Sequence, residues 1–541
     1  MTSASTFRTR TLAAVGVAAI AALALAGCSS GGGTKSGSAA TSIVVGTTDK
    51  VTSLDPAGSY DNGSFAIMSQ VYPFLMNSKP GTAAVEPDIA QSASFTSPNE
   101  FTVVLKKGLT FENGDKLTSS DVKFSFDRQL KIAAENGPSS LLGNLASTEA
   151  VNDTTVVFHL KSANDQIWPQ ILSSPAAPIV DEQVFSADKV TSDDAIVKGK
   201  AFAGPYTISS YRFNQLVQFK NFPGYDGVLG KPKTNTINLK YYTDQSNMKL
   251  DVQKGNIDVA ARSMSATDIA DLKKDTSVKV TTGPGGEIRY IVFNFNTQPF
   301  GATTATADPA KALAVRQAVA DLIDRQAIAT QVYKGTYLPL YSYVPDGLTG
   351  ANTALKGLYG DGNGGPDLAK AKKTLADAGV SGPIKLDLQY NPDHYGASSG
   401  DEYALVKSQL EKGGLFSVNL QSTEYVQYTK DRVADVYPEY QLGWFPDYSD
   451  ADNYLTPFFS DKNFIANHFS NPAISSLLTQ QAVETDKATR VKQIGEIQDK
   501  VAAILPTIPL LQGAQVVVEG KGVKGVVLDA SFKFRFGTLS K

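Results

Sequence analysis

The sequence predicts an α/β protein with at least two lobes, and three observations support this. Runs with the alternation of half-buried strands, such as FTVVL (101–105) and TVVFHL (155–160), fill the first half. The second half contains amphipathic helical segments such as DLAKAKKTLADAG (367–379), which ends in a glycine suited to a left-handed cap. Strands also lie between these helices, which indicates the α/β class. Finally, 541 residues exceed what one core usually organises.

The elements follow one another along the whole chain. The predicted strands cover 43–47, 101–105, 155–160, 216–221, 288–296, 384–390, 418–423, 514–519 and 531–537. The predicted helices cover 309 to about 332, 367–379 and 402–414. The Asp308-Pro309 pair predicts the start of the first helix, because aspartate caps a helix and proline suits its first turn.

The N-terminus predicts export. Residues 1–27 have a short cationic start and then an apolar run of roughly sixteen residues, which is short for a membrane-spanning helix of about 20. Cys28, the only cysteine, ends the sequence LAGC, which resembles the bacterial lipobox. We therefore predict lipidation of Cys28 and a flexible Gly/Ser linker over 28–41. An ordinary signal peptide with a chance cysteine is the alternative.

Composition excludes several classes of function. A net charge of -3 with mixed signs gives no basic face for a nucleic acid. The three histidines are far apart and no cysteine follows Cys28, so neither a zinc nor a copper site is expected, nor any disulfide. No phosphate-binding GxxxxGK[ST] loop and no GxSxG nucleophile elbow occurs. We expect no cofactor, no metal and no catalysis; this profile is typical of a binding protein.

A family resemblance rests on an ordered series of segments. In sequence order they are LDPA (54–57), the stretch 87–128, GPYTI (204–208), QKGNIDVA (253–260), YIVFNF (290–295), VRQAVADLIDR (315–325) and GWFPDYSDADNYLTPFFS (443–460). Together they resemble the peptide/nickel class of extracellular solute-binding proteins of ABC importers. The resemblance implies a two-lobed periplasmic-binding-protein-like clamp (a Venus flytrap of type II) that closes over its ligand by a hinge motion.

The resemblance also implies domain boundaries. Lobe I would cover 42–290, with an extra subdomain at 89–199. Lobe II would cover 291–514, and the tail 515–541 would return to lobe I.

The resemblance places the ligand's α-ammonium on Asp447, in the segment GWFPDYSDADNY. A closing cleft removes water, so a cationic ligand group needs a fixed anion beside it. One alternative is a solvated acidic turn, because Asp450 and Asp452 are close by. A calcium loop is a second alternative, although the segment lacks the spacing and glycine of an EF-hand.

Further ligand contacts are predicted around this acid. Trp444 and Phe445 correspond to an aromatic stretch that lines the cleft in the family, although such a pair is more often part of a core. Tyr290 and Asn294 share one face of a predicted strand by alternation, and we expect that face to meet the cleft. The segment KVTSLDP (50–56) resembles a loop that bonds an extended peptide backbone, and Thr52 and Ser53 are its predicted contacts.

One departure from the family concerns the ligand carboxylate. Dipeptide-selective relatives carry an arginine in the loop after the strand written LDLQYN here, but the corresponding residues 391–401 include no arginine or lysine. His394 or Arg289 could substitute. The absence favours longer peptides or another cationic ligand.

The predicted function is that of a monomeric receptor held at the outer face of the cell membrane. It would capture a peptide, or another amine-bearing solute, and deliver it to the permease of an ABC importer. Within the same fold a sugar, an opine or a metal complex is the alternative ligand. A signalling receptor and a secreted hydrolase using paired carboxylates are further alternatives, the latter disfavoured because all three acids lie in one loop.

Overall fold

A computed structural model describes residues 42–541 apart from 263, 393, 397, 462 and 532. The predicted signal sequence, Cys28 and the whole predicted linker therefore lie outside the described residues. Within the described part of the chain no helix is long and apolar enough to span a membrane.

Strands and helices alternate through most of the chain. The strands are β1 (Ser42–Thr47), β2 (Met76–Ser78), β3 (Val85–Pro87), β4 (Ala90–Ser97), β5 (Glu100–Leu105), β6 (Leu145–Asn152), β7 (Thr155–Leu160), β8 (Tyr206–Arg212), β9 (Leu216–Asn221), β10 (Thr236–Tyr241), β11 (Val259–Ala261), β12 (Val278–Phe293), β13 (Tyr337–Pro339), β14 (Ile384–Tyr390), β15 (Phe416–Ser422), β16 (Glu439–Trp444) and β17 (Thr507–Gly520).

The helices surround these strands. They are α1 (Asn62–Val71), α2 (Ser119–Ile132), α3 (Trp168–Ile171), α4 (Asp193–Gly199), α5 (Gln245–Lys254), α6 (Ala266–Leu272), α7 (Pro309–Leu322), α8 (Arg325–Ala327), α9 (Ala354–Leu358), α10 (Leu368–Asp377), α11 (Ser399–Glu411), α12 (Tyr425–Val433), α13 (Asp452–Phe459), α14 (Pro472–Val483) and α15 (Lys487–Ile504). Short 3-10 segments occur at Ser139–Leu142 and Phe536–Thr538, and a π turn at Ile328–Val332.

One mixed sheet runs through both lobes in the order β15-β14-β16-β12-β17-β11-β1-β10-β9-β8, with β13 added beside β17. The strands β12 and β17 are unusually long and pair antiparallel along most of their length. Their register shifts between Pro284 and Ile288, where an ideal Cβ on Gly285 would lie 2.1 Å from the Gly513 carbonyl oxygen. Only glycine permits this close backbone approach. The sheet thus changes lobes at an irregular point.

Separate hydrophobic cores lie on either side of this irregularity. One core draws its buried residues from 288–511, with Ala530, and forms the second lobe. Two others combine residues from 43–272 with the returning strand β17 and the C-terminal residues Phe536 and Leu539. A fourth core covers the four-stranded sheet β4-β5-β7-β6 and helix α2. The fold is therefore the predicted two-lobed α/β clamp.

Three predicted elements differ from the structure. The helix predicted to reach about 332 ends at Leu322, because Ile323 is extended and Asp324 caps a new turn. The strand predicted over 288–296 ends at Phe293. The segment 531–537 is not a strand in its described residues: its aromatic side chains alternate because Phe534 and Phe536 pack on the first lobe's core, and its last residues form a 3-10 turn.

Candidate functional site

Three connected cavities lie where the lobes meet. The first, of about 430 Å³, and the third, of about 450 Å³, share His394, Tyr395 and Phe445 in their walls. A small second cavity of about 70 Å³ shares Phe65 and Asp447 with the third. The two large cavities have the size of small-molecule sites, which usually measure about 300–1,000 Å³. We treat them as parts of one interlobe cleft.

Asp447 lies in the wall of the second and third cavities, on the loop that follows β16. One carboxylate oxygen accepts a hydrogen bond from the Tyr60 hydroxyl of the first lobe. The other accepts from Asn453 Nδ2 at 3.0 Å. Burial raises the pKa of the Asp447 carboxyl above its ordinary value, although the hydrogen bonds from Tyr60 and Asn453 oppose the rise. The acid is therefore held at the lobe interface rather than in a solvated turn.

Asn453 fixes the geometry of the Asp447 loop. Its Oδ1 accepts from the Trp444 indole N–H at 3.0 Å and from the Asp447 backbone N–H at 2.9 Å, while its Nδ2 reaches the Asp447 carboxylate. Asn453 is almost fully buried at the start of α13. Sequence reasoning missed this residue, and its position within GWFPDYSDADNY was the only available signal.

The other two acids of the loop have structural partners. Asp450 forms a bidentate pair with Arg490, with distances of 2.7 and 2.9 Å. Asp452 is buried and accepts hydrogen bonds from Tyr448, Thr456 and Gln481. These contacts separate the roles of the three carboxylates, so a paired-acid hydrolase receives no support from their arrangement. Among the residues described, no cluster of three or more His, Cys, Asp or Glu side chains could hold a metal ion.

Aromatic side chains form much of the third cavity. Trp444 packs edge-on against Phe458 and also contacts Phe464, with ring centroids 5.1 and 5.6 Å apart. The cavity wall also includes Tyr60, Phe65, Tyr395, Tyr425, Tyr428 and Phe445. Both predicted aromatic contacts, Trp444 and Phe445, therefore lie in the same cavity wall as Asp447.

Tyr290 and Asn294 do not lie in the cleft, and we withdraw them from the site. Both are 0% exposed. Tyr290 packs against Phe458 in the core of the second lobe, and Asn294 caps the turn after β12 by accepting from the Asn296 and Thr297 amides. The alternation argument selected the wrong face: the opposite face carries Arg289, which does line the first cavity.

Thr52 and Ser53 lie next to the cleft but not in the walls of the cavities described. The Thr52 hydroxyl donates to Asp61, and the Ser53 hydroxyl accepts from the Asp55 amide. Their neighbours in space, Tyr60 to Asn62, form that part of the wall instead. The cavity wall in this region is therefore formed by residues just before and at the start of α1, and ligand contact by Thr52 and Ser53 stays a prediction.

Arg289 is saturated by partners within the protein. Its guanidinium pairs with Glu287 at 3.0 Å and Glu402 at 3.3 Å, and also donates to Ser399, Tyr337 and the Tyr395 carbonyl. The two acids in turn accept from the hydroxyls of Tyr337 and Tyr333, each at 2.6 Å. This closed network leaves Arg289 poorly suited to bind a ligand carboxylate.

Comparison with known proteins gives a consistent family. Residues 84–465 match the family described as bacterial extracellular solute-binding proteins, family 5 Middle. The probable D,D-dipeptide-binding periplasmic protein DdpA of Escherichia coli K12 is 25% identical over 516 residues, covering 92% of this chain and 94% of that protein. A dipeptide-binding protein of the same strain is 24% identical over 507 residues, covering 89% and 90%.

A solved structure extends the likeness to the fold. HbpA2 from Haemophilus parasuis superposes with a TM-score of 0.77 at 22% identity, over 92% of this chain and 99% of that one. The family match covers well over half of the chain, and the relatives are matched along almost their full length. The chain therefore belongs to the bacterial extracellular solute-binding proteins of family 5.

Proposed function

We propose that this protein captures a peptide, or a related amine-bearing solute, between its lobes and delivers it to an ABC permease. The observation that carries the proposal is Asp447, a partly buried acid in an aromatic-lined interlobe cavity. A ligand ammonium group would place a positive charge beside this carboxylate, and charge-assisted hydrogen bonds would hold the ammonium there. The two relatives named above, a probable D,D-dipeptide-binding protein and a dipeptide-binding protein, support a peptide ligand.

Trp444 and Phe445 would provide apolar contact area for the ligand beside Asp447. The Trp444 indole N–H is already used by Asn453, so the ring would act through its face and edge rather than by hydrogen bonding. The Tyr60 hydroxyl joins the two lobes at the same carboxylate. A ligand ammonium at Asp447 would therefore lie where it contacts both lobes at once.

Replacing Asp447 tests the ammonium assignment. Calorimetric titration should show that Asp447→Asn weakens binding of a free peptide by about 30-fold or more, since truncating a buried charge pair typically costs 2–5 kcal/mol. An N-acetylated peptide has no ammonium group. It should therefore bind the wild-type protein about as weakly as the free peptide binds the variant, and its affinity should fall little further in the variant. Asp461→Asn, an exposed acid in the same lobe, serves as the control. Tight binding of an oligosaccharide, with no binding of any peptide, would contradict the proposal.

We also propose that a lipid on Cys28 anchors the protein to the outer face of the membrane. Two or three acyl chains hold a protein firmly, because each buried CH₂ adds about 0.8 kcal/mol. Cys28→Ala should move the protein from the membrane fraction to the soluble fraction. Equal membrane association of the variant would rule out the lipid anchor.

A further inference from the structure

Arg432 is a buried cation that forms no ion pair with any acid in the part of the chain that the structure describes. It lies on helix α12 of the second lobe and is 6% exposed. Its Nη1 donates to the carbonyl oxygens of Phe464 and Ile465 at 3.2 and 2.7 Å, and its guanidinium lies over the Phe464 ring at 5.2 Å. All of these partners are neutral. Within the described residues no carboxylate forms an ion pair with this guanidinium.

The nearest acids in sequence are occupied elsewhere. Asp431 accepts from Gln427 at 2.6 Å and from Tyr437 at 2.8 Å. Asp435 is bonded to Asn294, Asn296 and His468. An uncompensated buried charge typically costs several kcal/mol.

The position of Arg432 separates it from Arg316, Arg325 and Arg535, which are also buried and form no ion pair in the described part of the chain but line none of these cavities. Arg432 lines the third cavity, the same cavity that Asp447 lines. One cavity of about 450 Å³ thus presents a cation that has no ion pair within the described residues and the acid Asp447 to the same ligand. Charges of opposite sign at two points of one small cavity match a molecule that carries both charges within a short length.

The other cations around the cleft are less suited to an anion. Arg289 is saturated by Glu287 and Glu402. Arg262 pairs with Asp49 at 3.3 Å. Lys533 faces only the small cavity of about 70 Å³ and donates to the Ser173 carbonyl. Arg432 alone among these four combines a large cavity with the lack of an acidic partner.

We propose that Arg432 binds the terminal carboxylate of the ligand, so that the preferred ligand is a short zwitterion of dipeptide size. The inference rests on the proposed function, since it takes Asp447 as the ammonium site. Arg432 lies on α12, outside the loop 391–401 that corresponds to the arginine-bearing loop of dipeptide-selective relatives. A guanidinium can hold a carboxylate through two parallel hydrogen bonds, which fixes its direction as well as its charge.

The test uses a panel of dipeptides in free, C-terminally amidated and N-acetylated forms, titrated calorimetrically into the protein. Amidation should weaken binding to the wild-type protein by about 30-fold or more. Arg432→Met should weaken binding of the free dipeptide by a similar factor and change binding of the amide less than threefold. Arg432→Lys should lose less, because the charge is kept. Lys430→Met, which removes an exposed cation from the same helix, should change neither.

Three results would overturn the inference while leaving the proposed function standing. The first is equal affinity of the wild-type protein for free and amidated dipeptides. The second is an equal loss for both forms in Arg432→Met, which is the pattern expected if the guanidinium only braces the Phe464 and Ile465 carbonyls. The third is binding of longer peptides without binding of any dipeptide. If no peptide of any length binds, both proposals fail together.

Discussion

Each of the two large cavities of the cleft is lined by an arginine, but of these two, Arg289 and Arg432, only Arg289 is paired with acids in the part of the chain that the structure describes. In the first cavity Arg289 has its positive charge balanced by Glu287 and Glu402. In the third cavity, Arg432 donates hydrogen bonds to neutral carbonyl oxygens. The first arrangement is complete without a ligand, whereas the second is not. Counting cations around a cleft therefore says little about ligand charge; the useful question is which of them the protein has already neutralised.

Stability measurements on the two arginines give the largest expected contrast. Arg289→Met leaves two buried carboxylates without their cation, so we expect the free energy of unfolding to fall by about 3–5 kcal/mol. Arg432→Met strands no carboxylate and should cost about 1–2 kcal/mol, for lost hydrogen bonds and packing. Urea denaturation of both variants measures the difference.

A second substitution sharpens this contrast. Adding Glu402→Gln to Arg289→Met should restore part of the loss, because one of the stranded charges is removed. Equal destabilisation by Arg289→Met and Arg432→Met would show that the two guanidinium groups are held in equivalent ways, and the comparison would fail.

The Asp450–Arg490 pair provides an effect of intermediate size. Arg490→Met removes a bidentate bond and contacts to Gln481, so unfolding should become easier by about 2–3 kcal/mol. Because Asp450 follows Asp447 on the same loop, free and amidated dipeptides should both bind a few-fold more weakly. Lys487→Met, an exposed cation on the same helix, is the control. A loss confined to the free dipeptide would place Arg490, rather than Arg432, at the carboxylate.

Lys533 should give the smallest effect, and its sign depends on pH. Burial, with a smaller contribution from Arg535, lowers the pKa of this ammonium to about 7, while Asp529 and Asp88 oppose the change. Between pH 7 and about 10.5 the unfolded chain thus binds a proton that the folded chain lacks, and stability rises with pH. Lys533→Met should therefore stabilise the protein at pH 6.5, by about 1–3 kcal/mol.

The gain from Lys533→Met should largely disappear at pH 10, where the folded lysine is neutral and the unfolded lysine, close to its ordinary pKa of about 10.5, loses its proton at little cost in free energy. Urea denaturation at the two pH values measures it. Lys521→Met, at an exposed lysine of the first lobe, should show no such dependence. A gain that is the same at both pH values would mean that Lys533 keeps an ordinary pKa.

Local pattern predicted the fold class and some of its elements. Alternation located β5 and β7, and caps located α7 and α10, because each depends on neighbouring residues only. The break of the helix at Ile323 was not predictable, since neither proline nor glycine marks it. The segment 531–537 has the same alternation as a strand, but its described residues pair with no strand, which only the tertiary arrangement reveals.

The site was predictable only in part, for a similar reason. Asp447, Trp444 and Phe445 lie in one recognisable segment. Tyr60 donates a hydrogen bond to Asp447 although the two residues are 387 positions apart in sequence, and no local sequence pattern predicts such a contact. Arg432 looks like an ordinary basic residue near the end of a helix until its buried, acid-free surroundings are known.

The core of the second lobe comes almost entirely from one uninterrupted stretch, 288–511, while both ends of the described chain belong to the first lobe. That stretch contains Asp447, Trp444, Phe445 and Arg432. A single contiguous piece of gene therefore encodes most of the groups that would select the cargo. Exchanging it between homologous receptors would transplant ligand preference in one recombination event, provided that the glycine-lined joints at 285 and 513 are retained.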